Sequence, residues 1–318
     1  MDEDDRTAWL AQAVDILNEA FPTPANDPTT WPDCERLLPH ALEVAGHGEA
    51  MQASLSGVSR LLNESGLYFK GRADLAAAKA LYERALSIYA ELDDPEASAT
   101  ATLLGNLGGV YADEGDLAAA RNAYERALAI CEEALGPEHP SVAVWLNNLG
   151  FVEKGDLDRA RQLLERALAI DETAYGPEHP SVAIRLDNLG IVVRRKGDLA
   201  LARELHERAL RIDEQAHGPE HPYVAIRLNN LAAVLFDEGD LLGARAHLER
   251  ALAIIEHAYD AEHPNVARMH RSLGFVVAAQ GDAVEARLHL DRALTILESV
   301  YGADHPETED VRAFLRRL

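Results

Sequence analysis

The dipeptide His-Pro occurs at residues 139, 179, 221, 263 and 305, at intervals of 40, 42, 42 and 42 residues. A second mark, Gly-Asp at 115, 155, 197, 239 and 281, keeps the same intervals. Two rulers in step mean that the chain repeats one unit, and that the first interval has lost two residues between fixed points. The register extends one step further back. There Ala73-Asp74 stands for Gly-Asp, and the run from Leu61 to Gly66 stands over the run from Leu103 to Gly108. Six copies result, beginning near Ala50. A period of this size means that each unit buries its apolar face only against its neighbours, so the copies stack as a solenoid.

Each unit is predicted to be two helices. In the copy that starts at Pro180, Val182, Ile184, Leu186, Leu189 and Val193 recur at helical spacing, and Leu201, Leu205, Ala209, Leu210 and Ile212 do so further on. Gly197 is placed to end the first helix with a positive φ, and Asp198 to accept the free amides of the second. Gly176 closes the preceding copy, and Pro180 opens this one at a position where a missing N–H costs nothing. Gly190, Ala202 and Ala209 mark where the two helices cross closely, and small residues recur at these places in the other copies.

Leu-Gly, a turn Gly, and then Ala-x-x-x-(aromatic or Leu)-x-x-Ala resembles the tetratricopeptide repeat. The longer unit, with Leu-Asn-Asn-Leu-Gly and Gly-Pro-Glu-His-Pro, is similar to the kinesin-light-chain type of that repeat, over roughly Ala50 to Tyr301. The resemblance implies an all-α fold, a right-handed α-solenoid of antiparallel helix pairs. The expected organisation is an N-terminal helical cap and connector over 1–49, six repeats over 50–305, and a C-terminal capping helix over 306–318.

Ahead of the repeats, Met1 to Asp5 reads as a tail, Thr7 to Ala20 as an amphipathic helix, and Trp31 to Gly46 as a second helix. The segment from Ala20 to His47, with its Phe-Pro-Thr-Pro and Trp-Pro, resembles the connector between nucleotide-binding core and repeats in bacterial STAND proteins of the NB-ARC class. That resemblance implies a signalling ATPase as parent. No Gly-x-x-x-x-Gly-Lys-(Ser/Thr) occurs in the chain, so no ATP-site residue can be assigned. Copy one departs most from the pattern, with Ser65 for the usual Leu and Ala73 for the turn Gly. Copy two is expected to run from Pro95. In copy three the two-residue deletion shortens the first helix by over half a turn, and a local change of superhelical pitch is expected there.

Acidic residues number 54 against 30 basic, for a net charge of −24, which opposes nucleic-acid and anionic-membrane binding. The two cysteines, Cys34 and Cys131, have neither disulfide-scaffold nor zinc spacing, which fits a reducing, cytoplasmic setting. No apolar run approaches membrane-spanning length. The five histidines of Gly-Pro-Glu-His-Pro and its variants sit one repeat apart without a second ligand, so loop and cap roles are favoured over metal binding. Arg121/Glu125, Arg161/Glu165, Arg203/Glu207 and Arg245/Glu249 are helix-surface pairs four apart. No nucleophile motif is present, so no enzyme and no cofactor are expected.

What remains is surface. In the resembled fold the first helices line the concave face, and position-by-position transfer singles out Arg60, Asn63 and Lys70 in copy one and Asn147 and Phe151 in copy three. It continues with Asp187, Arg194 and Arg195, then Asn229 and Phe236, then Arg268, Arg271 and Phe275. The expectation is a protein or peptide partner, with Asn63, Asn147 and Asn229 holding its backbone. The six basic residues would meet acidic side chains and the phenylalanines would serve as apolar anchors. The competing reading has the asparagines bridging adjacent helices and the arginines solvated. Trp145 is favoured as a packing residue over an anchor.

Overall fold

The computed structural model describes residues 3–26, 30–72, 74–92, 96–303 and 305–318. Among these residues there are fifteen helices and no strand. Two helices come first, α1 (Glu3–Ala20) and α2 (Trp31–Met51). Pairs follow: α3 (Leu55–Gly71) with α4 (Leu75–Glu91), and α5 (Ala97–Asp113) with α6 (Leu117–Leu135); next along the chain are α7 (Pro140–Val152) and α8 (Leu157–Tyr175). Then come α9 (Pro180–Arg195) with α10 (Leu199–His217), α11 (Pro222–Glu238) with α12 (Leu241–Ala258), and α13 (Pro264–Ala279) with α14 (Ala283–Tyr301). The last helix is α15 (Pro306–Leu315).

The fold is the all-α repeat expected, with local differences. Helix α1 begins at Glu3, inside the expected tail, and α2 runs on to Met51, across the expected 49/50 boundary. The turn residue Ala73 and the expected copy start at Pro95 lie outside the described residues. Helix α7 has 13 residues, against 16 or 17 in α9, α11 and α13. The chain divides into two compact units, Met1–Lys154 and Gly155–Leu318, and the division falls in the turn that carries the deletion.

The helix ends follow from the repeated turn residues. Asp74, Asp116, Asp156, Asp198, Asp240 and Asp282 each accept a hydrogen bond from the backbone N–H three residues on. His139, His179, His221, His263 and His305 precede the helical prolines, and their Nδ1 atoms accept from the second amide beyond. The histidines are therefore caps, and the ring of Tyr175, His217, Tyr259 or Tyr301 stacks on the cap that follows it. Gly197 has φ +87, which a residue with a side chain rarely adopts.

In unit 1 one apolar core runs from Leu10 and Val14 of α1 to Val110 of α5. In unit 2 the pairs α9–α10 and α13–α14 close where a large second-helix side chain lies over a first-helix glycine. A Cβ on Gly190 would stand 2.7 Å from His206 Nε2, and one on Gly274 would stand 2.6 Å from Leu290 Cγ. A second contact joins each copy to the next. Trp145 Nε1 donates to Cys131 Sγ at 3.1 Å in unit 1, so Trp145 is a packing residue. In unit 2 the same two columns hold Arg185 with Asp171 and Arg227 with Asp213, both at 2.8 Å from Nε to Oδ2.

Candidate partner-binding face

First helices of successive copies lie side by side within each unit, and a residue on one commonly meets the residue 43 positions later on the next. In unit 1, Asn106 donates to Asn63 Oδ1 at 2.8 Å and Lys70 pairs with Asp113 at 3.4 Å. In unit 2, Asn230 donates to Asp187 Oδ2 at 2.9 Å and Arg194 pairs with Asp237 at 2.9 Å. Arg194 also donates to the carbonyl of Ala233. At the far end Arg271 pairs with Glu307 at 3.2 Å.

These contacts change the reading of the basic residues. Lys70, Arg194 and Arg271 are expected from sequence to meet a ligand's carboxylates, but here their partners are carboxylates of the neighbouring helix. The sequence pattern marks Asp113 and Asp237 as belonging to the same face without showing that they neutralise it. Arg60 and Arg195 are exposed, and Arg268 is half-buried.

The asparagines differ from one another. Asn63 donates to Glu64 and accepts from Asn106, so it bridges α3 and α5. Asn147 is 8% exposed and donates to Asn148 at 3.4 Å. Asn229 donates to Asn230 at 3.4 Å, and its Oδ1 is shut off from solvent with no hydrogen-bond partner. A buried acceptor left without a donor costs about 1–3 kcal/mol.

Asp187 is expected from sequence to meet a ligand but is 3% exposed and enclosed. Its Oδ1 lies 2.8 Å from His206 Nδ1, and its Oδ2 accepts from Arg227 Nη1 at 2.7 Å and from Asn230. Burial pushes its carboxyl upward, but the hydrogen bond to His206 and the charge of Arg227 outweigh that and hold it below the usual carboxylate range. The signal was present in the chain: Asp187 stands where Asn147 and Asn229 stand in neighbouring copies, and His206 stands where Leu164 and Leu248 stand. An acid and an imidazole replacing a paired amide and leucine together mark a buried contact.

The aromatic residues are distributed in the same way. Phe151 in unit 1 is 61% exposed, with Lys154 over its ring. In unit 2, Phe236 is 38% exposed, and Phe275 packs on Phe314 with ring centroids 4.6 Å apart. Arg194, Asn229, Phe236, Ser272 and Phe275 together line a cavity of about 150 Å³ between α9, α11 and α13. Four of the residues singled out from sequence therefore converge on one place. The described residues contain no group of three or more His, Cys, Asp or Glu placed to hold a metal ion. None of the helices is long and apolar enough to cross a membrane.

Helix pairs of this length, each with an aspartate cap on its second helix and with contacts between successive first helices inside each unit, define a tetratricopeptide-type repeat array. The family model described as "Tetratricopeptide repeat" matches residues 57–133, 99–172, 151–215, 186–256 and 223–299, and the chain belongs to that family. Among solved structures, BtubC (BKLC) from P. vanneervenii is 26% identical, with a TM-score of 0.58 over 70% of this chain and 89% of that one. A kinesin light chain-like structure from Podosopora anserina, with nearly identical TPR-like repeats, is 26% identical, with a TM-score of 0.53 over 64% of this chain and 97% of that one. The apo quorum sensor NprR from B. thuringiensis shares the fold at 11% identity, with a TM-score of 0.60 over 99% of this chain and 81% of that one. No curated protein matches the chain in sequence.

Proposed function

We propose that the chain is a protein-interaction module whose first-helix face in unit 2 holds a peptide or partner segment. The observation that carries this reading is the cavity between α9, α11 and α13. It sets Phe236 and Phe275 beside the half-buried amide side chain of Asn229, and so offers an apolar slot next to a polar group for a peptide backbone. Arg268 is the basic residue of this face without an ion pair among the described residues, and an acidic side chain of the ligand would pair with it. The similarity to kinesin light chain-like arrays and to a quorum sensor supports binding rather than catalysis.

Peptides selected from a displayed random library on the whole chain test this reading. Phe275→Ala and Asn229→Ala should each weaken a selected peptide by about tenfold or more, as loss of a central anchor does. Leu242→Ala, at a 78% exposed second-helix position, should leave affinity unchanged. Equal affinity across all three variants would refute the assignment.

Within this reading, the resemblance of the segment from Ala20 to His47 supports a role as the sensor or regulatory arm of a STAND-type ATPase. A reading frame that encodes a P-loop upstream of Met1 would support it. A frame without one would favour a free-standing scaffold that bridges two protein partners.

A further inference from the structure

Unit 1 holds a cavity of about 780 Å³ between α1, α3, the end of α4 and the start of α5. Its floor is apolar, since Phe21, Tyr89 and Leu103 are buried there. Its rim carries Asp15 and Glu19 from α1 and Glu96 from the N-cap of α5. None of these three carboxylates forms an ion pair among the described residues. Helix α1 is a fixed wall: it packs so closely on α3 that a Cβ on Gly57 would stand 2.5 Å from Val14 Cγ1. Asn18 clamps the same contact, with Nδ2 donating to the carbonyls of Val14 and Gly57 at 3.0 Å each. Its Oδ1 is left buried with no donor.

The charged groups without an ion pair around this cavity are thus three carboxylates and one cation, Arg60, so that negative charge prevails there. A ligand's carboxylate would be repelled, whereas a cation with several N–H donors would satisfy the carboxylates. The apolar floor asks in addition for an aliphatic stem. An arginine side chain has both parts, a stem that covers apolar surface and a planar fork that pairs with carboxylates. Asn63 belongs both to this cavity and to the first-helix line of unit 1, so the cavity continues the face read above as holding polypeptide.

We propose that this cavity is a second docking site, one that takes an arginine side chain of a basic peptide segment. Its charge preference rests on the cavity alone, and its peptide character rests on the interaction-module reading. Arg60, also on the rim, is then an opposing charge and not an acid-binding residue.

The test is calorimetric titration of the whole chain with acetyl-Gly-Arg-Gly-Arg-Gly-amide, its glutamate counterpart, and spermine. The arginine peptide should bind and the glutamate peptide should not. The triple variant Asp15→Asn, Glu19→Gln, Glu96→Gln should weaken binding by about tenfold or more. A control that removes as much charge from unit 2, Glu204→Gln, Glu220→Gln, Asp310→Asn, should change it by less than about twofold. Arg60→Ala should tighten binding. Equal weakening by the two triple variants, weakening by Arg60→Ala, or no arginine-peptide binding would overturn the proposal. Spermine binding tighter than the peptide, with the same variant sensitivity, would overturn its peptide character. Phe236→Ala and Phe275→Ala should leave this titration unchanged, so the unit 2 reading can fail without it.

Discussion

Arg185 donates from Nε to Asp171 Oδ2 at 2.8 Å, with both residues buried at 7% and 1% exposure, and the same two columns hold Met269 and Ile255 two copies later. One interface position therefore tolerates an ion pair or an apolar pair. Breaking the ion pair by one substitution leaves a buried charge without a partner, which costs about 3–5 kcal/mol, whereas replacing both partners with apolar groups is often neutral. Arg185→Met and Asp171→Ile are each expected to destabilise the chain by that amount, and the double variant by less than about 1 kcal/mol. Urea unfolding of the four proteins checks this. Additive losses would show that the pair is not the unit of packing.

The contact of Gly190 with His206 makes a sharper steric demand. A Cβ would stand 2.7 Å from Nε2 and 2.8 Å from Cε1, and the ring cannot swing away while Nδ1 is held by Asp187. Gly190→Ala is expected to cost about 1–3 kcal/mol, as overpacking of a filled core does. A matched Gly46→Ala, where a Cβ meets nothing within 4 Å, should not destabilise the chain.

The fold was legible in the sequence because the copies from Pro180 onward repeat one punctuation: Asp198 and His179 cap where their spacing said they would, and Gly197 takes the positive φ expected of it. Helix ends without punctuation were less legible. Gly46 does not end α2, which continues to Met51 because no residue there stops it. The site was legible only in part. Position within a repeat identified the first-helix face, but the state of each side chain depends on the residue opposite. Lys70 is answered by Asp113 and Arg194 by Asp237, and Asp187 is drawn inward by His206 and Arg227.

Low pH should weaken unit 2 through a second histidine contact. His270 Nδ1 and His289 Nδ1 lie 2.9 Å apart across α13 and α14, a spacing that holds one bridging proton. Burial, then the charge of His289, then that of Arg292, push the His270 imidazole down to about 4. Burial also lowers His289, although Glu285, Glu249 and Glu256 oppose this while Arg245 reinforces it. The unfolded chain therefore takes up these protons first. The stabilisation is full above the ordinary histidine value of 6.5 and is lost as pH falls from there towards 4, by at most about 1.4 kcal/mol per pH unit and group. Unfolding free energies at pH 7 and pH 5 should show this fall, and His270→Gln should reduce it. Asp187, whose carboxyl is held low, contributes the opposite class of group, with stability present at neutral pH and lost only in stronger acid.

The claim that the first helices of unit 2 form the wall that holds a ligand is tested most directly by photo-crosslinking. A benzoylphenylalanine at position 236 or at position 242 would be irradiated with a library-selected peptide bound. The account predicts an adduct from position 236 and none from position 242. An adduct from position 242 alone would place the peptide on the second helices and contradict it.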